Sequence, residues 1–72
     1  MSDTTRDQVA RRFGAALRNA RAEAGFTQAE LATKSTISVP AIARYESGKR
    51  APHLAEALLL AKVLGLSLDD LA

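Results

Sequence analysis

The hexapeptide Phe26-Thr27-Gln28-Ala29-Glu30-Leu31 sets one helix start, and with it the layout of the chain. The Thr27 hydroxyl has the reach to accept from the amide of Glu30, the Glu30 carboxylate reaches back to the amide of Thr27, and Phe26 packs on Leu31 outside both. A capping box and a hydrophobic staple therefore coincide, and a helix begins here. Immediately upstream stands Gly25, suited to the left-handed position that closes a preceding helix. Two helices must meet at this point, with almost no linker between them.

The same reading divides the rest of the chain. The first helix is expected over about Asp7–Ala24, with residues 1–6 as a flexible N-terminus. At 100° per residue, Val9, Phe13, Leu17, Ala20 and Ala24 form its apolar stripe, while Arg11, Ala15 and Arg18 lie opposite as solubilising surface. The second helix lasts only to about Lys34 or Ser35. Ser38 then caps a third, with Pro40 in its first turn, where a missing N–H costs nothing. That helix runs from Val39 to about Ser47 and stops at Gly48. A fourth starts near Leu54 and stops at Gly65. Leu66-Ser67-Leu68-Asp69-Asp70-Leu71 then repeats the staple-and-cap device, so a fifth helix is expected to begin at the end of the chain.

Composition supports helix throughout. Ala and Leu dominate the apolar 47% of these 72 residues, and only Phe13, Phe26 and Tyr45 are aromatic. A domain this small has no cysteine to staple it, so idealised helix packing, a partner, or both must stabilise it. The expected architecture is all-α, a compact five-helix bundle forming one domain over 1–72. The longest apolar run, Ala57–Ala61, is far shorter than a membrane span, and no apolar core follows the N-terminus, so a soluble chain without a signal peptide is expected. The lack of cysteine fits a reducing compartment, with the cytoplasm as the default.

Enzyme chemistry finds little to use. The single histidine, His53, has no second histidine or cysteine with which to bind a metal, and there is no glycine-rich phosphate loop. No cofactor or metal is expected. Charge points elsewhere: residues 1–50 carry nine Lys or Arg against five Asp or Glu, whereas residues 51–72 carry one Lys against three acids. An anionic partner would meet the first two thirds of the fold.

Two short helices joined by about three residues, over about 27–48, describe a helix-turn-helix. The particular residues are Thr27-Gln28-Ala29-Glu30-Leu31-Ala32, Ile37-Ser38, Ile42 through Pro52, and Leu60 through Leu71. Over about residues 13–72 they closely resemble the helix-turn-helix family of the lambdoid phage repressors and Cro proteins, of XRE type. The resemblance implies a DNA-binding domain whose third helix enters the major groove, as a homodimer on a palindromic operator. It implies a transcriptional regulator, with a repressor preferred. A protein-interaction module or antitoxin-type partner using the same fold is the alternative.

The residues can be assigned accordingly. Ala41, Ile42 and Tyr45 cluster as the core face of the third helix, leaving Ser38, Val39, Pro40, Ala43, Arg44 and Ser47 toward DNA. Arg44 can fork onto guanine O6 and N7 or hold a phosphate, and Val39 and Ala43 suit thymine methyl groups. Gln28 sits at a helix start that attracts phosphate, and matches a glutamine that grips the backbone in the resembled family. Lys49 and Arg50 follow on a loop that the family lays along phosphates. The resemblance also implies a partly buried ion pair between Arg21 and Glu46 that sets the angle of the third helix. On the fourth helix, Leu54, Ala57, Leu58, Ala61 and Leu64 form an expected core stripe with Leu60 at its edge. Leu59 and Val63 lie opposite and, helped by Leu66, Leu68 or Leu71, are the expected dimer interface.

Two departures from the family stand out. Thr36 occupies the turn position where glycine is usual for a left-handed conformation, so strain or a different turn is expected. The outer face of the third helix also carries no Gln or Asn to read adenine, which leaves thymine contacts, Arg44 and DNA shape as the sources of specificity.

Overall fold

The computed structural model describes residues 2–71, the first three as backbone only. Four α-helices follow one another: α1 over Ser2–Glu23, α2 over Gln28–Ser35, α3 over Val39–Glu46 and α4 over Leu54–Leu64. A single 3-10 turn over Leu68–Leu71 closes the described chain, and no strand occurs among the described residues.

Local chemistry sets most boundaries. Thr27 Oγ1 accepts from the Glu30 amide at 3.0 Å and the Thr27 amide donates to Glu30 Oε1 at 2.9 Å, so α2 starts on a complete capping box. The Thr27 amide, and after it the Thr27 hydroxyl, also hold the Glu30 carboxyl below its ordinary range. Ser38 Oγ accepts from the Ala41 amide at 3.3 Å to start α3, with Pro40 in the first turn. α1 begins at Ser2, so residues 2–6, expected as a flexible N-terminus, are helical; Met1 lies outside the described residues.

The fifth helix is the main departure. The Asp70 amide donates to the Ser67 carbonyl at 3.1 Å, a bond three residues long, and the Ser67 hydroxyl donates to Asp70 Oδ2 at 3.2 Å instead of accepting an amide. The capping residues therefore close a 3-10 turn in place of an α-helix.

Leu17, Leu31, Ile42, Tyr45 and Leu60 are fully buried at the centre, joined by Ile37, Ala61 and Leu71. α3 packs against α1 and α2, while α4 and the final turn close the other side. The stripe of α1 is turned relative to expectation. Ala10, Gly14 and Leu17 are buried and Phe13 half-buried, but Val9 is 58% exposed beside an apolar groove of about 340 Å³ between α1, α4 and the final turn, and Ala24 is exposed. Gly14 marks the crossing of α1 over the end of α3, where a Cβ would meet the Tyr45 and Glu46 carbonyls.

The stripe of α4 also differs. Ala57, Leu60 and Ala61 are buried, with Leu64 and Val63 half-buried against the core, while Leu54, Leu58 and Leu59 are 67%, 49% and 43% exposed. Leu60, expected at the edge, is central, and Val63 reaches the core that it was expected to miss. Leu66 and Leu68 pack half-buried against the same core, and Leu71, 1% exposed, belongs wholly to it. Leu71 is thus removed from the expected dimer surface, because the final turn carries it into the core.

Thr36 resolves the question of the turn: it takes φ 62° and ψ 16°, so the left-handed shape is kept and the β-branched side chain bears the strain. Left-handed geometry costs an L-residue roughly 1–2 kcal/mol, against about 0.5–1 kcal/mol for the extra unfolded-state freedom of glycine. Thr36→Gly should therefore stabilise the domain by about 0.5–1 kcal/mol, seen as a modest rise in the urea midpoint at unchanged slope. A lowered midpoint would show that the hydrogen bond from the Thr36 hydroxyl to the Ser35 carbonyl outweighs the strain.

Candidate nucleic-acid interface

Division of labour along α3 builds the site. Ile42 and Tyr45 point into the core and are fully buried, whereas Val39, Pro40, Arg44 and Ser47 are exposed and Ala43 is half-buried. Tyr45 anchors the helix further, since its hydroxyl donates to Glu56 Oε1 of α4 at 2.7 Å. Burial, then that hydrogen bond, pushes the Tyr45 phenol above its ordinary range, and the same bond holds the Glu56 carboxyl below its own. The His53 amide and the charge of the nearby Arg50 also favour the ionised Glu56.

Arg21 and Glu46 lock α3 to α1. Arg21 Nε donates to Glu46 Oε2 at 2.7 Å and a second guanidinium nitrogen donates to Oε1 at 3.0 Å, a two-pronged pairing. Arg21 also donates to the Phe26 carbonyl at 2.8 Å, tying the α1–α2 corner into the same knot. The Arg21 pKa is raised, chiefly by the hydrogen bond to Glu46. The pair forms where α1 and α3 run close together: Gly14, about two turns of α1 before Arg21, abuts the backbone carbonyls of Tyr45 and Glu46.

Gln28 joins this knot in a way that sequence reasoning did not foresee: its side-chain nitrogen donates to Glu46 Oε1 at 3.1 Å. It is half-buried, and shares with Ala43, Ser47, Arg18, Arg21 and Glu46 a cleft of about 230 Å³. The carboxylate thereby holds Gln28 beside the outer face of α3. The signal available in the sequence was the acidic partner common to Arg21 and Gln28, visible only once the two short helices are folded on α1.

The remaining expected contacts are exposed at the two ends of α3 and on the loop after it. Ser38 is exposed at the α3 start with its oxygen engaged by the Ala41 amide, and the Ser47 hydroxyl donates to the Arg44 carbonyl at 3.1 Å. Lys49 and Arg50 are exposed on the loop after α3, where the Gly48 and Lys49 amides return to the Tyr45 and Arg44 carbonyls at 3.1 and 3.0 Å. An arginine and two loop cations are therefore exposed on α3 and the loop that follows it, with Glu46 already occupied by Arg21 and Gln28.

Two short helices, the second held by its inner face and leaving its outer one exposed, define a helix-turn-helix domain. Residues 17–71 match the helix-turn-helix family HTH_3, and the chain belongs to that family, as a DNA-binding transcription regulator of XRE type. Its structure is similar to that of the restriction-modification controller protein C.AhdI from Aeromonas hydrophila, with 30% sequence identity, 88% of this chain and 96% of that chain covered, and a TM-score of 0.84. No curated protein sequence matches the chain. No helix among the described residues is long and apolar enough to cross a membrane.

Proposed function

We propose that the chain is a homodimeric repressor that binds a palindromic operator, with α3 of each protomer in the major groove. The observation that carries this reading is the outer face of α3: Arg44 is exposed and uncommitted on the same helix as Val39, Pro40 and Ala43, with Lys49 and Arg50 exposed on the loop that follows. Arg44 forks onto O6 and N7 of a guanine, while Val39 and Ala43 meet thymine methyl groups. Gln28, Ser38, Lys49 and Arg50 take backbone phosphates and set the register. A bound dimer occludes the DNA that it covers, and repression needs nothing more, which favours repression over activation. We place the protein in the cytoplasm, in keeping with its lack of cysteine.

Selection of duplexes from a random pool tests the reading. A palindromic consensus with half-sites about one helical turn apart is expected. On that site Arg44→Ala should lose roughly 1–3 kcal/mol of binding and relax preference at one base pair per half-site. Uniform weakening on every duplex would demote Arg44 to a phosphate contact, and a pool without enrichment would favour the protein-interaction reading instead.

For the dimer, the outer face of α4 supplies the surface. Leu54, Leu58 and Leu59 remain exposed there, with half-buried Val63 at the edge and Leu66 and Leu68 beyond the helix end. Burying these leucines against a two-fold copy contributes a few kcal/mol after the cost of association, so the dimer is weak and stabilised by DNA. Leu59→Glu should shift the mass measured by sedimentation toward the monomer. If the parent is dimeric and this variant stays equally so, the interface lies elsewhere.

A further inference from the structure

The flank of α1 that sequence reasoning assigned to solubility does not face away from the site. Arg18 lines the cleft that also holds Gln28, Ala43 and Ser47, and with Arg11, Ala15 and Asn19 it lines an adjoining cleft of about 540 Å³ against Glu46 and Ser47. Both clefts open beside the C-terminal end of α3. Arg11 is held there by close packing: a Cβ on Gly48 would stand 2.8 Å from Arg11 Cγ, so the arginine stem lies on the glycine that precedes Lys49 and Arg50. Farther along α1, Thr5, Arg6 and Asp7 line a hollow shared with Gly48, Lys49 and Arg50. Glu46, the one carboxylate lining the two clefts that hold Arg18, already accepts from Arg21 and Gln28. Among the described residues, Arg11 and Arg18 enter no ion pair.

We propose that α1 is part of the DNA-contacting surface, with Arg18 and Arg11 each holding a backbone phosphate of the duplex that α3 engages. The inference rests on the DNA-binding reading above and extends it to a third helix. The two arginines are two helical turns apart, roughly 10 Å along α1, so they meet separate phosphates instead of sharing one. Their contributions are therefore additive and independent of base sequence. Arg12 provides an internal control, because it lines the apolar groove with Phe13 and Leu71 on a different side of the same helix.

The test is the salt dependence of binding, measured on the selected duplex and on a random one for the parent, Arg18→Ala, Arg11→Gln, Lys49→Ala and Arg12→Ala. Arg11→Gln keeps a stem against Gly48, and thermal melts monitor folding of every variant. Arg18→Ala and Arg11→Gln should each flatten the slope of log K against log salt by roughly 0.9 per protomer, the same change expected of Lys49→Ala, with equal weakening on both duplexes. Arg12→Ala should leave the slope unchanged. If the parent binds and both α1 variants keep its slope, or if Arg12→Ala flattens it as much, the extension is overturned while the DNA-binding reading stands. A parent that binds neither duplex overturns both.

Discussion

Gly14→Ala is expected to destabilise the domain by about 2 kcal/mol, although alanine is the better helix former. In an open helix the exchange would gain up to about 1 kcal/mol. Here the new Cβ would lie 2.8 Å from the Glu46 carbonyl oxygen and closer still to that of Tyr45, and both are backbone atoms that cannot rotate away. Overpacking of this kind costs roughly 1–3 kcal/mol and more where nothing yields, so the steric term wins. α1 must lift from α3, loosening Leu17 and Tyr45 together. For a domain of this size the melting temperature should fall by about 10 °C. A variant as stable as its parent would mean that α1 can slide over α3 without loss, and that the close crossing is not required.

Glu46→Ala should cost about 2–3 kcal/mol and alter the DNA-facing side as well. The mutation strands an Arg21 guanidinium whose side chain is only 16% exposed, after removing a carboxylate that is 5% exposed. Removing one partner of a well-buried pair costs roughly 3–5 kcal/mol, and the figure is reduced here because Arg21 keeps the Phe26 carbonyl and some access to water. Gln28 loses its acceptor at the same time. Urea unfolding should show the lost stability at unchanged slope, and the Arg21→Met, Glu46→Leu double variant should recover part of it. If the single and double variants are equally destabilised, the pair is not what links α1 to α3.

What was legible in the sequence was local. Thr27 with Glu30, and Ser38 ahead of Pro40, act within one turn, and each defines a helix start wherever the chain goes next. The turn at Thr36 could be read as strained but not resolved between strain and rearrangement, because that choice depends on how rigidly Ile37 and Leu31 hold its two ends in the core. Faces were less legible than boundaries. α4 carries leucine on nearly every side, so a wheel anchored on Leu54 fits almost as well as one anchored on Leu60; the core chose the latter, and Leu54 projects beyond it at 67% exposure. Val9 misled in the same way near the free end of α1. The roles of Gly14 and of the Gln28–Glu46 bond were not legible ahead of the fold, since both arise where segments far apart in the chain are brought together.

The anchoring of α3 has a consequence for redesign. Its inward side is committed three ways: Ile42 and Tyr45 to the core, the Tyr45 hydroxyl to Glu56, and Glu46 to Arg21 and Gln28. Val39, Pro40 and Arg44 bear none of that load through their side chains, and each is exposed. The helix thus behaves as a cassette with a keyed back and a blank front. New side chains can be written on the front without re-solving the fold, so a library randomised at those three positions would sample binding preferences in variants that nearly all remain folded.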